Sequence, residues 1–282
     1  MNRVRRRIVN VFLRMLDFVE FAMNWVFVFL RSKTRATQES RVCPNDQRGW
    51  ERLYLSRVAP VTVMRSEIAL KLAQLTNEGE LLLETGCGSG RLSAELALAG
   101  RRVAVCDFSQ PILDRVKRLF AVSGLQEPQA YLVDLTEPLP FQDSAFDVVW
   151  NCGVLEHWTD DELRPIVAEL VRCAKRCVIS LVPNERSLLY RYGRETAEAH
   201  GICPWGREIP RSTLRHIFEG AGLTDIMETT ICLSDAPGLI SLIDPVFSKK
   251  LKKWWDSVPR NDPVKENQGY LLITVGYKPK AL

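Results

Sequence analysis

The chain has 282 residues, of which 46% are hydrophobic, 26% charged and 9% aromatic, with 16 Gly and 15 Pro. That length supports one full α/β domain or two small ones around a sizeable core, and that composition excludes a collagen-like, low-complexity or largely disordered chain. The net charge of +4 is unevenly placed: residues 1–40 hold eight Lys/Arg against Asp17, Glu20 and Glu39, and the remainder is nearly neutral, which argues against a phosphate-tracking surface on the body of the protein.

Residues 8–30 (IVNVFLRMLDFVEFAMNWVFVFL) would make a helix of about 34 Å, long enough to cross a bilayer. Arg14, Asp17 and Glu20 sit near its middle, and each such charge costs roughly 2.5–3.5 kcal/mol there. Spanning is therefore marginal. Asn10, Arg14, Asp17, Glu20 and Asn24 fall within roughly a 120° arc, which leaves a wide apolar face that has to be buried. The basic flanks (Arg3, Arg5, Arg6 and Arg7 before; Arg31, Lys33 and Arg35 after) and Trp25 suit a helix lying on an anionic membrane surface. Packing on the protein's own domain, or on a second subunit in a homo-oligomer, is the alternative. The stretch carries charges of both signs and lacks a small-x-small site, so it is not a signal peptide. Residues 1–35 are expected to be this amphipathic helix, 36–49 a polar linker, and 50–282 the domain.

From Trp50 onward apolar strands alternate with helical stretches. A helix is expected around 61–76, then strands at 80–84, 102–106, 130–133, 146–150 and 177–182, with helices near 91–99, 110–123 and 160–174 between most of them. After an insert (183–210) come a helix (211–221), a strand (223–231), a second insert (233–266) and a last strand ending in GYLLITVGY. Strand and helix in alternation predict a parallel sheet covered on both faces. The eight cysteines are scattered, which reads as reduced, cytoplasmic usage. Cys173 and Cys177 share a helical spacing, but no second pair or nearby His completes a zinc set, so no metal is expected.

The informative stretch is Glu84-Thr85-Gly86-Cys87-Gly88-Ser89-Gly90, between a strand and a helix. Glycines there let the backbone turn tightly and approach a ligand, and the helix that follows presents free amides. A dinucleotide fingerprint would need a third glycine where Arg91 stands, so a nicotinamide or flavin site does not fit.

This turn resembles motif I (E/D-x-G-x-G-x-G) of the class I S-adenosylmethionine-dependent methyltransferases, of the methyltransferase type 11-like kind. The resemblance spans about residues 50–280 and implies a Rossmann-like, doubly wound, mostly parallel seven-stranded sheet with an antiparallel last strand, and S-adenosyl-L-methionine as cofactor. It implies cofactor contacts from Glu84, Gly86, Cys87, Gly88 and Gly90. Asp107, with Phe108 beside it, would hold the ribose hydroxyls, a pair that suits the two acceptor oxygens of a carboxylate. Asp134, with Leu135, would face adenine. The segment FDVVWNCGVLEHW is similar to the family's fourth-strand motif and brings Asn151 and Gly153 to the methionine part. Each acid has a plainer alternative, since Asp107 could cap a turn and Glu84 could tie the loop.

The cofactor carries its own electrophile, so the protein has mainly to align a nucleophile and exclude water. His157 is the histidine within a site motif and the candidate general base for a hydroxyl acceptor; its alternative role is support of the next helix. The L-E-H segment is shared with quinone-pathway O-methyltransferases, some of which resemble a metal-assisted type with a further acid where Gly153 stands here. The N/D-P-P-Y/F segment of enzymes that methylate nucleic-acid bases is replaced by Asn151-Cys152-Gly153-Val154, which disfavours nucleic acid. The first insert would cap the substrate with Tyr190, Tyr192, Arg194, His200 and Trp205. The second sets Lys249, Lys250, Lys252 and Lys253 beside Trp254 and Trp255, a pairing that belongs at a membrane interface or on a solvated basic face. Together these features imply a cytoplasmic methyltransferase, peripheral on a membrane, with a small or lipid-like acceptor and oxygen favoured as the acceptor atom. A non-catalytic scaffold or regulatory subunit of the same fold, anchored at a membrane, is the alternative.

Overall fold

The computed structural model describes residues 47–55, 58–202 and 208–279. The expected helix over 8–30, the linker over 36–46 and Trp205 lie outside the described residues.

The seven strands are β1 (Leu81–Thr85), β2 (Arg102–Asp107), β3 (Gln129–Leu132), β4 (Phe146–Cys152), β5 (Ala174–Pro183), β6 (Thr224–Ile231) and β7 (Leu271–Tyr277). They form one sheet in the order β3-β2-β1-β4-β5-β7-β6. The first five pair in parallel, and β7 runs antiparallel to both β5 and β6. This is the expected doubly wound, Rossmann-like α/β fold with an antiparallel last strand. Central strands bury both faces, so neighbouring residues enter opposite cores. Leu83, Val149 and Val178 join Leu170 and Phe218 on one side. Leu82, Val148 and Ile179 join Leu72 and Leu96 on the other.

The helices among the described residues are α1 (Gln47–Tyr54), α2 (Glu67–Leu75), α3 (Arg91–Leu98), α4 (Gln110–Val122), α5 (Asp160–Cys173), α6 (Leu188–Ala199), α7 (Arg215–Gly220) and α8 (Pro245–Ser257). Polar caps set several starts. Ser66 Oγ accepts from the Ile68 amide at 3.2 Å, which is why α2 begins later than the apolar pattern alone predicts. Thr159 and Glu162 form a capping box at α5, with Asp160 and Asp161 in its first turn, where the helix dipole favours negative charge.

Two elements depart from the sequence reading. α1 starts at Gln47, inside the stretch read as linker and before Trp50, with Trp50 and Tyr54 stacked one turn apart (centroids 6.1 Å). The first insert forms α6, whose Gly193 packs so closely on the second insert that a Cβ there would stand 2.8 Å from Leu239 Cβ and 2.9 Å from the Ile240 amide nitrogen.

Candidate functional site

Strand register assembles the site. Thr85 of β1 pairs with Cys106 of β2, and Glu84 pairs with Trp150 of β4. Gly86 therefore leaves β1 level with Asp107, the last residue of β2, while Asn151 lies one residue deeper in β4, level with Thr85. Strand order reverses between β1 and β4, and such a switch point is where open α/β sheets bind ligands. A cavity of about 280 Å³ lies there, lined by Gly86, Gly88, Asp107, Phe108, Asp134, Leu135, Gly153 and His157, and also by Trp50, Tyr54, Ile112, Val133, Thr136, Val154 and Trp158.

The glycine turn is shaped for backbone approach. Gly88 (φ +47°) presents its α-carbon to the Tyr54 ring, and a Cβ there would lie 3.0 Å from Tyr54 Cζ. Gly90 (φ +68°) opens α3 and faces Val116, whose methyls a Cβ would meet at 2.7 Å. A side chain at either position would be strained by the left-handed backbone and by contact.

Asp107 is buried at the cavity wall. Its Oδ2 accepts from the Gly88 amide at 3.1 Å and its Oδ1 from the Ser109 amide at 3.1 Å, which leaves acceptor capacity on both oxygens. Burial pushes this carboxyl up to about 6, against the downward pull of those amides. Glu84 does not line the cavity. Its Oε2 accepts from Ser93 Oγ of α3 at 2.5 Å, and burial pushes it up to about 8, so its visible contact ties strand to helix. Cys87 is buried, with its Sγ 3.9 Å from Asp107 Oδ2. Asp134 Oδ1 accepts from the Thr136 amide and hydroxyl at 2.9 and 2.7 Å, closing a small turn at the rim. Asn151 is fully buried behind the wall, and its Oδ1 accepts from Ser180 Oγ at 2.7 Å. His157 sits in the 3-10 turn Leu155–His157, edge-on to Trp50 at 5.0 Å.

Of the candidate substrate residues of the first insert, the four among the described residues do not join this lining. Tyr190 is buried and donates to Glu208 Oε2 at 3.0 Å. Arg194 donates to Glu198 Oε1 and to the Glu208 carbonyl at 2.6 and 2.7 Å. His200 pairs with the Thr196 carbonyl at 2.7 Å, and Tyr192 is exposed. The physical reason is that Tyr190, Gly193 and Ala197 are one buried stripe, and α6 spends it on Leu239 and Leu242 of the other insert. Sequence reasoning missed Trp50, Tyr54, Ile112 and Thr136, which belong to no motif. Among the described residues no group of three or more His, Cys, Asp or Glu is arranged to hold a metal ion.

Comparison with known proteins gives a matching family model, described as a methyltransferase domain, over residues 82–176. The tabtoxin biosynthesis enzyme of Pseudomonas amygdali pv. tabaci is 32% identical over 99 residues, covering 35% of this chain and 36% of that protein. The ubiquinone biosynthesis O-methyltransferase of Brucella anthropi is 29% identical over 167 residues, covering 59% of this chain and 62% of that protein. The chain thus spans less than two thirds of the length of these curated relatives. Among solved structures, the magnesium protoporphyrin IX methyltransferase of Synechocystis PCC 6803 with bound SAH aligns at a TM-score of 0.50 and 18% identity, over 90% of this chain and 94% of that one; this is a likeness of fold.

Proposed function

We propose, from the match to a methyltransferase domain over residues 82–176, that the protein moves a methyl group from S-adenosyl-L-methionine onto a small or lipid-like molecule, with oxygen as the acceptor atom. S-adenosyl-L-methionine is the cofactor of that domain. The observation that carries the reading is the cavity at the switch point, where the glycine turn and the Asp107 carboxyl share one wall. The residues present fit the cofactor: the turn gives side-chain-free backbone beside Gly86 and Gly88, and Asp107 keeps acceptor capacity on both oxygens for a vicinal diol.

When bound, the cofactor supplies a sulfonium methyl as electrophile. The chain's own residues would then do four things. Asp107 and the glycine turn fix the nucleoside end, and Phe108 with Asp134 and Leu135 bound the base. Trp50, Tyr54 and Trp158 exclude water. A ring nitrogen of His157 receives the acceptor's proton. The decisive test incubates the protein with methyl-labelled cofactor and a fractionated lipid extract; label should enter a small organic-soluble molecule, and no transfer to any fraction would refute the reading. Tyr54→Ala should weaken S-adenosylhomocysteine binding roughly five- to tenfold by calorimetry, as expected when an aromatic wall is removed.

The lipid-like acceptor is supported by α8. Val246, Phe247 and Trp254 are 66%, 47% and 53% exposed, and with exposed Lys250 they share one arc of the helix, flanked by exposed Lys249 and Lys253. Lys252 and Trp255 are committed to packing: Lys252 Nζ donates to the Ser234 carbonyl, and Trp255 Nε1 donates to the Leu233 carbonyl, at 2.5 and 2.7 Å. Apolar side chains ringed by lysines suit an anionic bilayer surface, and the apolar stretch at 8–30 would strengthen the hold. No helix among the described residues is long and apolar enough to cross a membrane. Full-length protein should sediment with anionic vesicles and be only partly released by high salt, since screening removes the lysine attraction but leaves the apolar contact. A Phe247→Ser/Trp254→Ser variant that sediments as well as the parent would remove α8 from the contact.

A further inference from the structure

The 3-10 turn Leu155–His157 and the residues on either side of it give the cofactor cavity Val154, His157 and Trp158. A turn this short has little to hold itself with. Its internal bond, from the His157 amide to the Val154 carbonyl, is 3.3 Å long, against the about 2.9–3.0 Å that such bonds prefer. The placing of these three side chains therefore depends on contacts from outside the turn.

Residues 209–211 supply them. The Arg211 amide donates to the Pro183 carbonyl at 3.0 Å, and the Arg211 carbonyl accepts from the Glu185 amide at 3.1 Å, which locks this segment to the end of β5. From that base the Ile209 amide donates to the Glu156 carbonyl, in the middle of the turn, at 2.7 Å. The buried Arg211 side chain then reaches past the turn: one η nitrogen donates to the Trp158 carbonyl and the other to Asp160 Oδ1. Its Nε is buried without a partner, so the hold of the side chain lies in those two η donors. Asp160 Oδ2 pairs with His216 Nε2 of α7 at 2.7 Å, which fixes the carboxylate from its other side. An ion pair with Asp160 alone would account for a buried arginine here, but not for the second arm of the fork, which is spent on a backbone carbonyl one residue beyond His157.

We propose that Arg211 is a positioning residue of the active site: by tying the Trp158 carbonyl and Asp160 together, its fork fixes residues 157–160, and with them the His157 ring and the Trp158 wall, in the pose that meets the methyl acceptor. The proposal rests on the methyltransferase reading above and adds to it a residue that does not itself line the cavity.

The test uses full-length protein loaded with S-adenosylhomocysteine. The chain has three histidines, so replacing each in turn assigns their ring signals in proton NMR. The His157 signal carries the ring current of Trp50, whose centroid lies 5.0 Å away. In Arg211→Ala and in Arg211→Lys that signal should leave its parent position. The His200 signal should stay, because His200 sits on α6 and pairs with the Thr196 carbonyl. Methyl transfer from labelled cofactor to the extract fraction that accepts label from the parent should fall roughly 10- to 100-fold in both variants, as expected when a reacting group is misplaced. Their affinity for S-adenosylhomocysteine should remain within about threefold of the parent. Lysine is the discriminating variant: it keeps a cation beside Asp160 but lacks the second, rigidly spaced donor of the guanidinium, and it keeps the test open if the alanine variant does not fold. A parent-like His157 signal or parent-like turnover in either folded variant, or a His200 signal that moves along with that of His157, would overturn the proposal. Failure of the parent to bind S-adenosylhomocysteine, or to transfer label to any fraction, would instead overturn the methyltransferase reading, and the His157 signal would still decide whether Arg211 places the ring.

Discussion

Asp107→Ala should weaken S-adenosylhomocysteine binding by roughly 10- to 150-fold in calorimetry, which corresponds to about 1.5–3 kcal/mol for a lost pair of charge-assisted hydrogen bonds. The expectation comes from geometry. Asp107 terminates β2 directly across from Gly86, and its two oxygens already hold the Gly88 and Ser109 amides in place. Removing it therefore takes away both the diol acceptor and a tie on the glycine turn. Asp107→Asn separates the two effects: it keeps one acceptor oxygen and the side chain's shape, so it should fall between alanine and the parent. Unchanged affinity in a folded alanine variant would remove Asp107 from the cofactor site.

The same residue gives opposite pH dependences for folding and for binding. Burial raises its carboxyl to about 6 from an unfolded value near 3.8. The native state thus binds the proton more tightly than the unfolded chain, and this group's contribution to stability grows as pH falls from above 6 towards 4. A diol is best held by the ionised form, so cofactor affinity should fall over that same interval. Thermal unfolding and calorimetry between pH 5 and pH 8 would read the two trends on one preparation. Affinity that stays flat across pH 6 would mean that the Asp107 proton is not linked to the ligand.

How much of this was legible beforehand depends on whether the information was local. The glycine turn is a strand-turn-helix unit whose residues are contiguous from Leu81 to Leu98, so hydrophobic period and glycine spacing sufficed to read it. Asp107 and Asp134 could be read because each follows a short apolar strand. α1 could not: QRGWERLY has few apolar residues, and its helix is made worthwhile by Tyr54 over Gly88 and by Ser109 Oγ donating to Glu51 at 2.7 Å. Those contacts join residues some 34 to 58 positions apart. The first insert was assigned to the cavity mouth from its position after β5, whereas its stripe of Tyr190, Gly193 and Ala197 is complementary to Leu239 and Leu242 some fifty residues on. The i, i+3, i+7 spacing of that stripe marks a helix face to be buried but does not say which segment covers it.

His157→Ala should lower turnover by roughly 100-fold or more, while S-adenosylhomocysteine affinity stays within a few-fold of the parent. The imidazole lies on the cavity side of the 3-10 turn, one residue beyond Glu156, and the edge of Trp50 at 5.0 Å restricts its tilt. That placement suits a group acting on the acceptor, the nucleoside contacts being those proposed for Asp107 and Asp134. Trp50→Ala provides the control for orientation. If Trp50 holds the ring in its working pose, its removal should cost several-fold in turnover, less than the loss of His157 itself, because the base remains. A His157→Ala enzyme that turns over at near-parent rates from pH 6 to pH 9 would reduce the residue to a packing partner of Trp50 and leave proton removal to solvent.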